Sequence, residues 1–308
     1  MNKIHQLQNV DLLDVIIIGG SYAGLAAAMA LGRSLRNVVV IDSGKPCNRQ
    51  TPHSHNFLTQ DGKTPGEISA VARQQVEQYP TVVFYEGEAV SGEKQGDMFR
   101  ITTRSGEWFL GKRLIIATGI KDIMPDIEGF SSCWGISIVH CPYCHGYEYR
   151  DQKTGIMLNG ERAFHLIPLI NNLTSDLTVL TMGEADLTVE QKEKLVKKNI
   201  ALDERVISGF EHEKGQVKKV IFKDGDTMHF SAIYAPLPFL QAADIPKQLG
   251  CEITDTGYIG IDNFYRTTVP GVFACGDCAT MMRSVANAVA GGTFAGAMVN
   301  KELCEAGF

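Results

Sequence analysis

The sequence lacks any long hydrophobic run, because glycines or charged residues interrupt every apolar stretch before the ~20 residues that a membrane helix needs. It also lacks a basic excess: 29 Lys and Arg stand against 35 Asp and Glu, which leaves little to neutralise the phosphates of nucleic acid or anionic lipid. Residues 1–14 lack the charged, apolar and small-residue order of a signal peptide. We therefore expect a cytoplasmic protein that binds neither membranes nor nucleic acid.

What is present is a chain of ordinary globular composition. Its 308 residues are 44% hydrophobic and 21% charged, which argues against disorder and is enough for two domains of ~150 residues each. In a reducing compartment the eight cysteines are not expected to form a disulfide framework, so paired cysteines indicate redox or metal chemistry. We expect the single cysteines to be small buried hydrophobic side chains; these are Cys47, Cys133, Cys251 and Cys304.

The N-terminal region predicts a nucleotide-binding βαβ unit. A β-branched run at 14–18 leads into Gly19, Ser21 and Gly24, and a helix-forming segment follows. In such a loop the first glycine makes a tight turn, the second position lets the backbone approach a pyrophosphate, and the third lets helix and strand pack closely. Ser21 is small enough for the second position, and Asp42, 18 positions after Gly24, is placed to bind a ribose hydroxyl. The loop alone does not distinguish FAD from NAD.

The rest of the chain predicts a second, smaller α/β unit inserted into the first. Short alternating strands follow residue 82, a further strand, loop and helix occupy 153–173, and Asp224-Gly225 predicts a hairpin turn. A strand at 272–274 and a helix from about Ser284 to Cys304 then rejoin the first unit. We predict an α/β fold of two Rossmann-like, three-layer ββα domains, the first discontinuous. The predicted bounds are 1–118 with 245–308 for the first domain and 119–244 for the insert.

A Cys-x-x-Cys motif lies in the middle of the chain. Cys141 and Cys144 have the spacing that lets two thiols on the first turn of a helix form a reversible disulfide, with one thiolate stabilised by the helix. A structural zinc needs two more ligands, and the similar pair Cys275 and Cys278 is far away in sequence. The segment 141–145 also matches a c-type haem attachment pattern, but no export signal accompanies it. Redox chemistry is the favoured interpretation, and we expect no metal.

Histidines on both sides of the motif are candidates for acid–base catalysis. A histidine beside two thiols can exchange the proton that thiol–disulfide exchange requires near neutral pH. We assign this role to His145 and name His140 as a second candidate, while a packing role stays open for each. His53 and His55 lie in a loop where a solvated role and a cofactor-lining role are equally open.

Together with Ala117-Thr118-Gly119 and the segment 270–277, which ends in Gly276-Asp277, these motifs resemble the low-molecular-weight thioredoxin reductases over essentially the full length. The resemblance implies FAD in the first domain, a homodimer, and a helix after Arg283 that directs its first amides at the flavin. It implies that Cys144 is the thiol nearest the flavin, that Cys141 exchanges with the substrate, and that Cys275 and Cys278 only pack near the cofactor. The cofactor-binding residues it implies are Gly19, Ser21, Gly24, Asp42, Asn56, Ala117, Thr118, Gly119, Gly276, Asp277, Ser284 and Val285.

The inserted domain departs from the reductase pattern. Reductases carry a second glycine loop for NADPH there, but Leu158 stands where the tight-turn glycine belongs, and its bulk is expected to block that turn. After the next strand, reductases have basic residues for the 2′-phosphate, whereas this chain has Glu184 and Asp186, which repel phosphate. We therefore expect NADPH to bind poorly if at all.

The segment 141–148 is similar to that of the thioredoxin-reductase-like, FAD-dependent dithiol oxidases, which close disulfides in small dithiol metabolites without a working NADPH site. This resemblance implies an FAD-dependent thiol/disulfide oxidoreductase whose partner is a small dithiol or disulfide, or a thioredoxin-like protein. Two alternatives stay open: an NAD(P)H- or ferredoxin-dependent thioredoxin reductase, and a non-catalytic flavin redox sensor. Without NADPH the insert has no reason to rotate, and we expect one dominant domain orientation.

Overall fold

The computed structural model describes residues 12–308, so most of the N-terminal segment 1–14 lies outside the described range. The strands are β1 (Leu13–Ile18), β2 (Val38–Asp42), β3 (Val82–Glu86), β4 (Ala89–Gln95), β5 (Met98–Thr103), β6 (Trp108–Ile116), β7 (Ile120–Asp122), β8 (Ile138–Val139), β9 (Thr154–Met157), β10 (Leu177–Leu180), β11 (Ala201–Asp203), β12 (Ile207–Glu213), β13 (Gln216–Phe222), β14 (Thr227–His229), β15 (Ala232–Tyr234), β16 (Phe239–Gln241) and β17 (Val272–Ala274). The helices are α1 (Tyr22–Arg33), α2 (Pro65–Val76), α3 (Phe130–Cys133), α4 (Pro142–His145), α5 (Gly160–Asn171), α6 (Val189–Lys197), α7 (Ile245–Gln248) and α8 (Val285–Gly307), with a 3-10 turn at Tyr147–Tyr149. No helix in this range is long and apolar enough to cross a membrane.

The first domain is built on a seven-stranded sheet in the order β3-β2-β1-β6-β5-β4, with β17 also paired to β6. One edge of strand β6 pairs with two different strands. Residues 108–111 pair antiparallel with β5, and residues 114–116 pair parallel with β17. The central strand β1 is buried on both faces, as its run of β-branched residues predicts for a covered parallel strand. The carboxyl ends of β1 and β17 therefore meet at one edge of the sheet.

Helices α1 and α8 pack on one face of this sheet through very small residues. A Cβ atom on Gly292 would overlap the carbonyl oxygen of Ala23, and one on Gly296 would lie 2.8 Å from that of Ala27. Only glycine permits such a close approach of two helices. The contact places the first turn of α1 beside the second turn of α8, at the edge where β1 and β17 end.

The inserted domain has its own parallel sheet, in the order β11-β10-β9-β15-β8, and a three-stranded antiparallel sheet, β12-β13-β14. The predicted hairpin turn at Gly225 connects β13 to β14. The chain passes between the domains at β7 and at β16, which pair antiparallel so that Asp122 lies opposite Phe239. The two-domain fold is thus the predicted one, while the bounds at 118/119 and 244/245 stay predictions.

Candidate active site

The predicted nucleotide loop forms a tight turn between β1 and α1. Gly19 has a φ of +102°, and a Cβ there would overlap the carbonyl oxygen of Ala117. A Cβ on Gly24 would overlap the carbonyl oxygen of Gly19, so helix and turn are in direct contact. The backbone N–H of Gly20 donates a hydrogen bond of 3.1 Å to Oδ1 of Asp42. The loop and the acid at the end of β2 therefore lie together, as the spacing predicts.

The groups around this turn fit a nucleotide cofactor. Ser21 begins α1 without a capping hydrogen bond from its side chain, so the first amides of α1 are available to a phosphate. The buried hydroxyl of Thr118 has no hydrogen-bond partner among residues 12–308. Asp277, with a side chain 18% exposed, lies after β17 and can accept from a sugar or ribityl hydroxyl. Gly276 precedes it with a φ of +78°.

The other predicted cofactor residues lie on further segments of the chain. Ser284 caps α8, accepting a hydrogen bond of 3.2 Å from the backbone N–H of Asn287, and Val285 is the first residue of that helix. Gly119 opens the first interdomain connection with a φ of +68°. Asn56 is exposed in its loop, where its N–H donates to Asp61. The individual binding roles of these residues stay predictions.

The redox pair lies at the start of α4. Cys141 is the residue before the helix, and Pro142 occupies its first position, where the missing N–H costs no hydrogen bond. The thiol of Cys144 donates a hydrogen bond to the sulfur of Cys141, and the two sulfurs are 2.9 Å apart. Both side chains are half-buried. The pair is therefore positioned for disulfide formation in a site that substrate can reach.

The two thiols of this pair titrate in opposite directions. The hydrogen bond from Cys144 is the main cause that lowers the pKa of Cys141 to about 7, with help from the backbone N–H groups of Cys144 and Tyr143 and from Arg283, while burial opposes it. The same hydrogen bond, together with burial, raises the pKa of Cys144. Cys141 is therefore the sulfur of the reduced pair on which a thiolate is favoured near neutral pH.

The two flanking histidines are neutral near pH 7. Burial lowers the pKa of His140 to about 4, and its Nε2 has no hydrogen-bond partner in the described chain. Burial also lowers the pKa of His145, against the opposing effect of Glu148. Neutral His145 directly follows Cys144 and can accept a proton released by thiol exchange. His140 packs against Trp134, with ring centroids 6.1 Å apart, so the packing interpretation of His140 has a physical basis.

The sequence did not predict the ion pair of Arg283 with Asp122, which lies near the thiols. The guanidinium of Arg283 donates two hydrogen bonds to the carboxylate of Asp122, at 2.9 and 3.1 Å, and its Nε lies 3.8 Å from Oδ2 of Asp277. His55 similarly bridges the domains, with its Nε2 3.5 Å from Oε1 of Glu148. The sequence signal was the position of Arg283 directly before the helix cap Ser284, but only the fold brings Asp122 to it.

The cysteines outside the redox pair divide into two groups. Cys275 and Cys278 are fully buried, and the Cys278 thiol donates to the Cys275 carbonyl at 3.2 Å, which fits the predicted packing role. The prediction of burial holds for Cys133 and Cys251 but is wrong for Cys47 and Cys304, which are exposed. Cys47 faces Asp277 from the loop after β2, with 3.8 Å between sulfur and Oδ2, and Cys304 lies on the outer side of α8. Across residues 12–308, no group of three His, Cys, Asp or Glu side chains could hold a metal ion.

The second nucleotide loop, between β9 and α5, is filled by the side chain of its own residue Asn159. Oδ1 of Asn159 accepts hydrogen bonds from the backbone N–H groups of Gly160 at 2.8 Å and Asp186 at 2.9 Å, and its amide donates to the carbonyl of Glu184. The expectation that the bulk of Leu158 blocks the turn is wrong. The chain turns at Gly160, which has a φ of +68°. The exposed acids Glu184 and Asp186 lie at the start of α5, where a phosphate would bind.

Comparison with known proteins identifies the family. The family described as pyridine nucleotide-disulphide oxidoreductase matches residues 13–292. The chain belongs to this family. It is 32% identical over 309 residues to thioredoxin reductase aclD of Aspergillus oryzae, covering 95% of this chain and 96% of the relative. Two solved structures are similar over 96% of this chain: an oxidoreductase from Agrobacterium tumefaciens, with 36% identity, a TM-score of 0.90 and 99% of that chain covered, and thioredoxin reductase TrxB from Bacillus anthracis, with 31%, 0.91 and 100%.

Family membership gives the chemical class of the protein. As a thioredoxin reductase-like pyridine nucleotide-disulphide oxidoreductase, it is an FAD-dependent disulfide oxidoreductase. The resemblance, the enzyme class and the cofactor predicted from the sequence are therefore confirmed. The structure brings Cys141, Cys144, His140 and His145 to one place beside Asp277 and Arg283, but their catalytic roles stay predictions.

Proposed function

We propose that this pyridine nucleotide-disulphide oxidoreductase passes electrons between a dithiol/disulfide substrate and FAD through Cys141 and Cys144, without NADPH. The observation that carries the proposal is the contrast between the two sites. The thiol pair has a hydrogen bond that favours a thiolate on Cys141, whereas the second nucleotide loop is closed by Asn159 and bordered by Glu184 and Asp186. Phosphate binding there would require the breaking of these hydrogen bonds beside two acidic side chains.

The proposed reaction oxidises a substrate dithiol. One substrate thiolate attacks Cys141 in the Cys141–Cys144 disulfide, which forms a mixed disulfide and releases Cys144 as a thiolate. The second substrate thiolate attacks its own partner sulfur, so that the substrate leaves as a disulfide and Cys141 as a thiolate. His145, neutral near pH 7, accepts one of the two protons released from the substrate thiols, and the released Cys144 sulfur takes up the other, so that the reduced pair keeps one thiolate, on Cys141. When bound, FAD supplies the two-electron acceptor for the reduced pair, and we propose molecular oxygen as the final oxidant.

The partner is a small dithiol or disulfide in this proposal. A thioredoxin-like protein is the alternative, favoured by the description of the Aspergillus oryzae relative as a thioredoxin reductase. The same description favours, as the second candidate function, a reductase supplied with electrons by NAD(P)H or ferredoxin. The homodimer and the cytoplasmic location implied above are part of the proposal.

Serine substitutions test the thiol relay. Cys141→Ser and Cys144→Ser are each expected to reduce dithiol-dependent oxygen uptake to background while the purified protein keeps its FAD, because either change prevents disulfide formation. Cys304→Ser, which changes an exposed cysteine near the end of α8, is the matched control and is expected to keep full activity. A Cys141→Ser/Cys144→Ser double variant that still oxidises dithiols would refute the relay.

A further inference from the structure

Arg283 connects three parts of the molecule that come from distant segments of the chain. Its two terminal nitrogens bind Asp122 in the first interdomain connection, and its Nε lies 3.8 Å from Asp277 in the cofactor region. Its positive charge acts on Cys141, Cys144 and His140, so it also lies close to the redox segment of the insert. One guanidinium group therefore joins the domain connection, the cofactor region and the thiols.

The position of Asp122 in the connection between the domains allows the Arg283–Asp122 pair to restrict domain motion. The first connection begins at Gly119, where a Cβ would meet nothing within 4 Å, and Asp122 is the last residue of β7 on the way to the insert. The return strand β16 pairs with β7, so the two connections form one small sheet between the domains. Arg283 belongs to the first domain, immediately before α8. A hydrogen bond between Arg283 and Asp122 therefore resists rotation of this small sheet relative to the first domain.

The geometry of the Arg283–Asp122 pair differs from that of the contact between His55 and Glu148. The Asp122 and Arg283 side chains are only 7% and 13% exposed and meet through two parallel hydrogen bonds, an arrangement that fixes orientation as well as distance. The contact between Nε2 of His55 and Oε1 of Glu148 is longer, at 3.5 Å, and the Glu148 side chain is 36% exposed. Partly exposed pairs of that kind contribute little, since water competes for both partners.

We propose that Arg283, held by Asp122, is a positioning residue that fixes the inserted domain with its thiol pair facing the cofactor region. The proposal rests on the thiol–flavin relay proposed above, but its test measures orientation and thiol access rather than turnover. Its failure would therefore leave the relay intact, and failure of the relay would leave the orientation measurable. The electron balance of the relay is unchanged, because Arg283 takes no part in bond making or breaking.

Two variants of the FAD-loaded protein test the positioning role. Asp122→Asn removes the charge that orients Arg283, and Arg283→Lys keeps the charge but loses the two parallel hydrogen bonds. Each is expected to change the small-angle X-ray scattering curve and to increase about fivefold the labelling rate of Cys141 by iodoacetamide, measured well above the pH midpoint of Cys141, because the insert samples other orientations. Glu302→Gln is the control: it removes comparable pairs with Arg113 and Arg266 inside the first domain, with 3.3 and 2.7 Å separations, and is expected to change neither reading.

Three outcomes would overturn the proposal. The first is a wild-type scattering curve and wild-type labelling rate for both variants. The second is a shift in the pH midpoint of Cys141 labelling with no change in scattering, which would show that Arg283 acts by its charge alone. The third is an equal change in the Glu302→Gln control. If Asp122→Asn does not fold, the scattering curve and labelling rate of Arg283→Lys alone decide whether the proposal stands.

Discussion

A single hydrogen bond between the two sulfurs gives the residues of the redox pair different chemistry. Because Cys144 donates and Cys141 accepts, the negative charge of the reduced pair is favoured on Cys141. Cys144 keeps its proton until the disulfide forms, since burial and the neighbouring thiolate both oppose its ionisation. The assignment of Cys141 as the exchanging thiol, implied by the family resemblance, stays a prediction; the lowered pKa would make Cys141 the better leaving group when the substrate departs as a disulfide.

The reduced protein should show this difference in a pH titration of labelling. The iodoacetamide labelling rate of Cys141 is expected to rise with pH through a midpoint at about 7, because only the thiolate reacts. Cys144→Ala removes the main group that lowers this pKa, so the midpoint should move upward and the rate at pH 6.5 should fall about tenfold. Mass spectrometry of the labelled peptide measures both, with Cys304→Ser as control. A midpoint unaffected by Cys144→Ala would contradict this account.

The contact between α1 and α8 positions two parts of the cofactor region at the scale of whole helices. The first amides of α1 face the nucleotide loop, and α8 begins directly after Arg283 and Ser284. At this contact Gly292 lies directly against the backbone of Ala23. A larger residue at position 292 must therefore push the two helices apart. The position of Arg283 and that of the nucleotide loop therefore depend on the same helix contact.

Gly292→Val is expected to destabilise the first domain and to weaken FAD binding together. The added side chain overlaps the Ala23 carbonyl, and overpacking against backbone lowers the free energy of unfolding by about 3 kcal/mol. Urea unfolding and the FAD content of the purified protein measure the two effects. Gly66→Ala in α2 is the matched control, because a Cβ there meets nothing within 4 Å, and it should be neutral or slightly stabilising. A Gly292→Val protein with wild-type unfolding and full FAD content would disprove the role of this contact.

Across the whole molecule, local patterns predicted the sites that consist of adjacent residues. The β-branched run before Gly19 and the Cys-Pro-Tyr-Cys spacing each specify a structure within a few residues, so the nucleotide turn and the thiol pair could be read from the sequence. The Arg283–Asp122 pair joins residues 161 positions apart and has no local pattern. The exposure of Cys47 likewise depends on how its loop faces Asp277, which the loop's own sequence does not determine.

The second nucleotide loop shows how far a departure from a motif can be interpreted. The structure places the acids Glu184 and Asp186 beside this loop, and the repulsion of a phosphate by them stays a prediction. The sequence wrongly indicated that Leu158 distorts the loop. Leu158 is accommodated, and it is the side chain of Asn159 that fills the loop, through its hydrogen bonds to the backbone. A polar side chain that caps its own helix is a tertiary detail set by the approach of the segment after β10.

Anaerobic reduction of the flavin by different donors tests the central claim most directly. The FAD-loaded protein is mixed in turn with NADPH, NADH and a small dithiol, and the loss of oxidised-flavin absorbance is followed. The account predicts that only the dithiol bleaches the flavin and that air restores the absorbance with production of peroxide. Bleaching by NADPH or NADH at turnover rates would contradict it, and would show that the loop at Asn159 opens to bind a nicotinamide nucleotide.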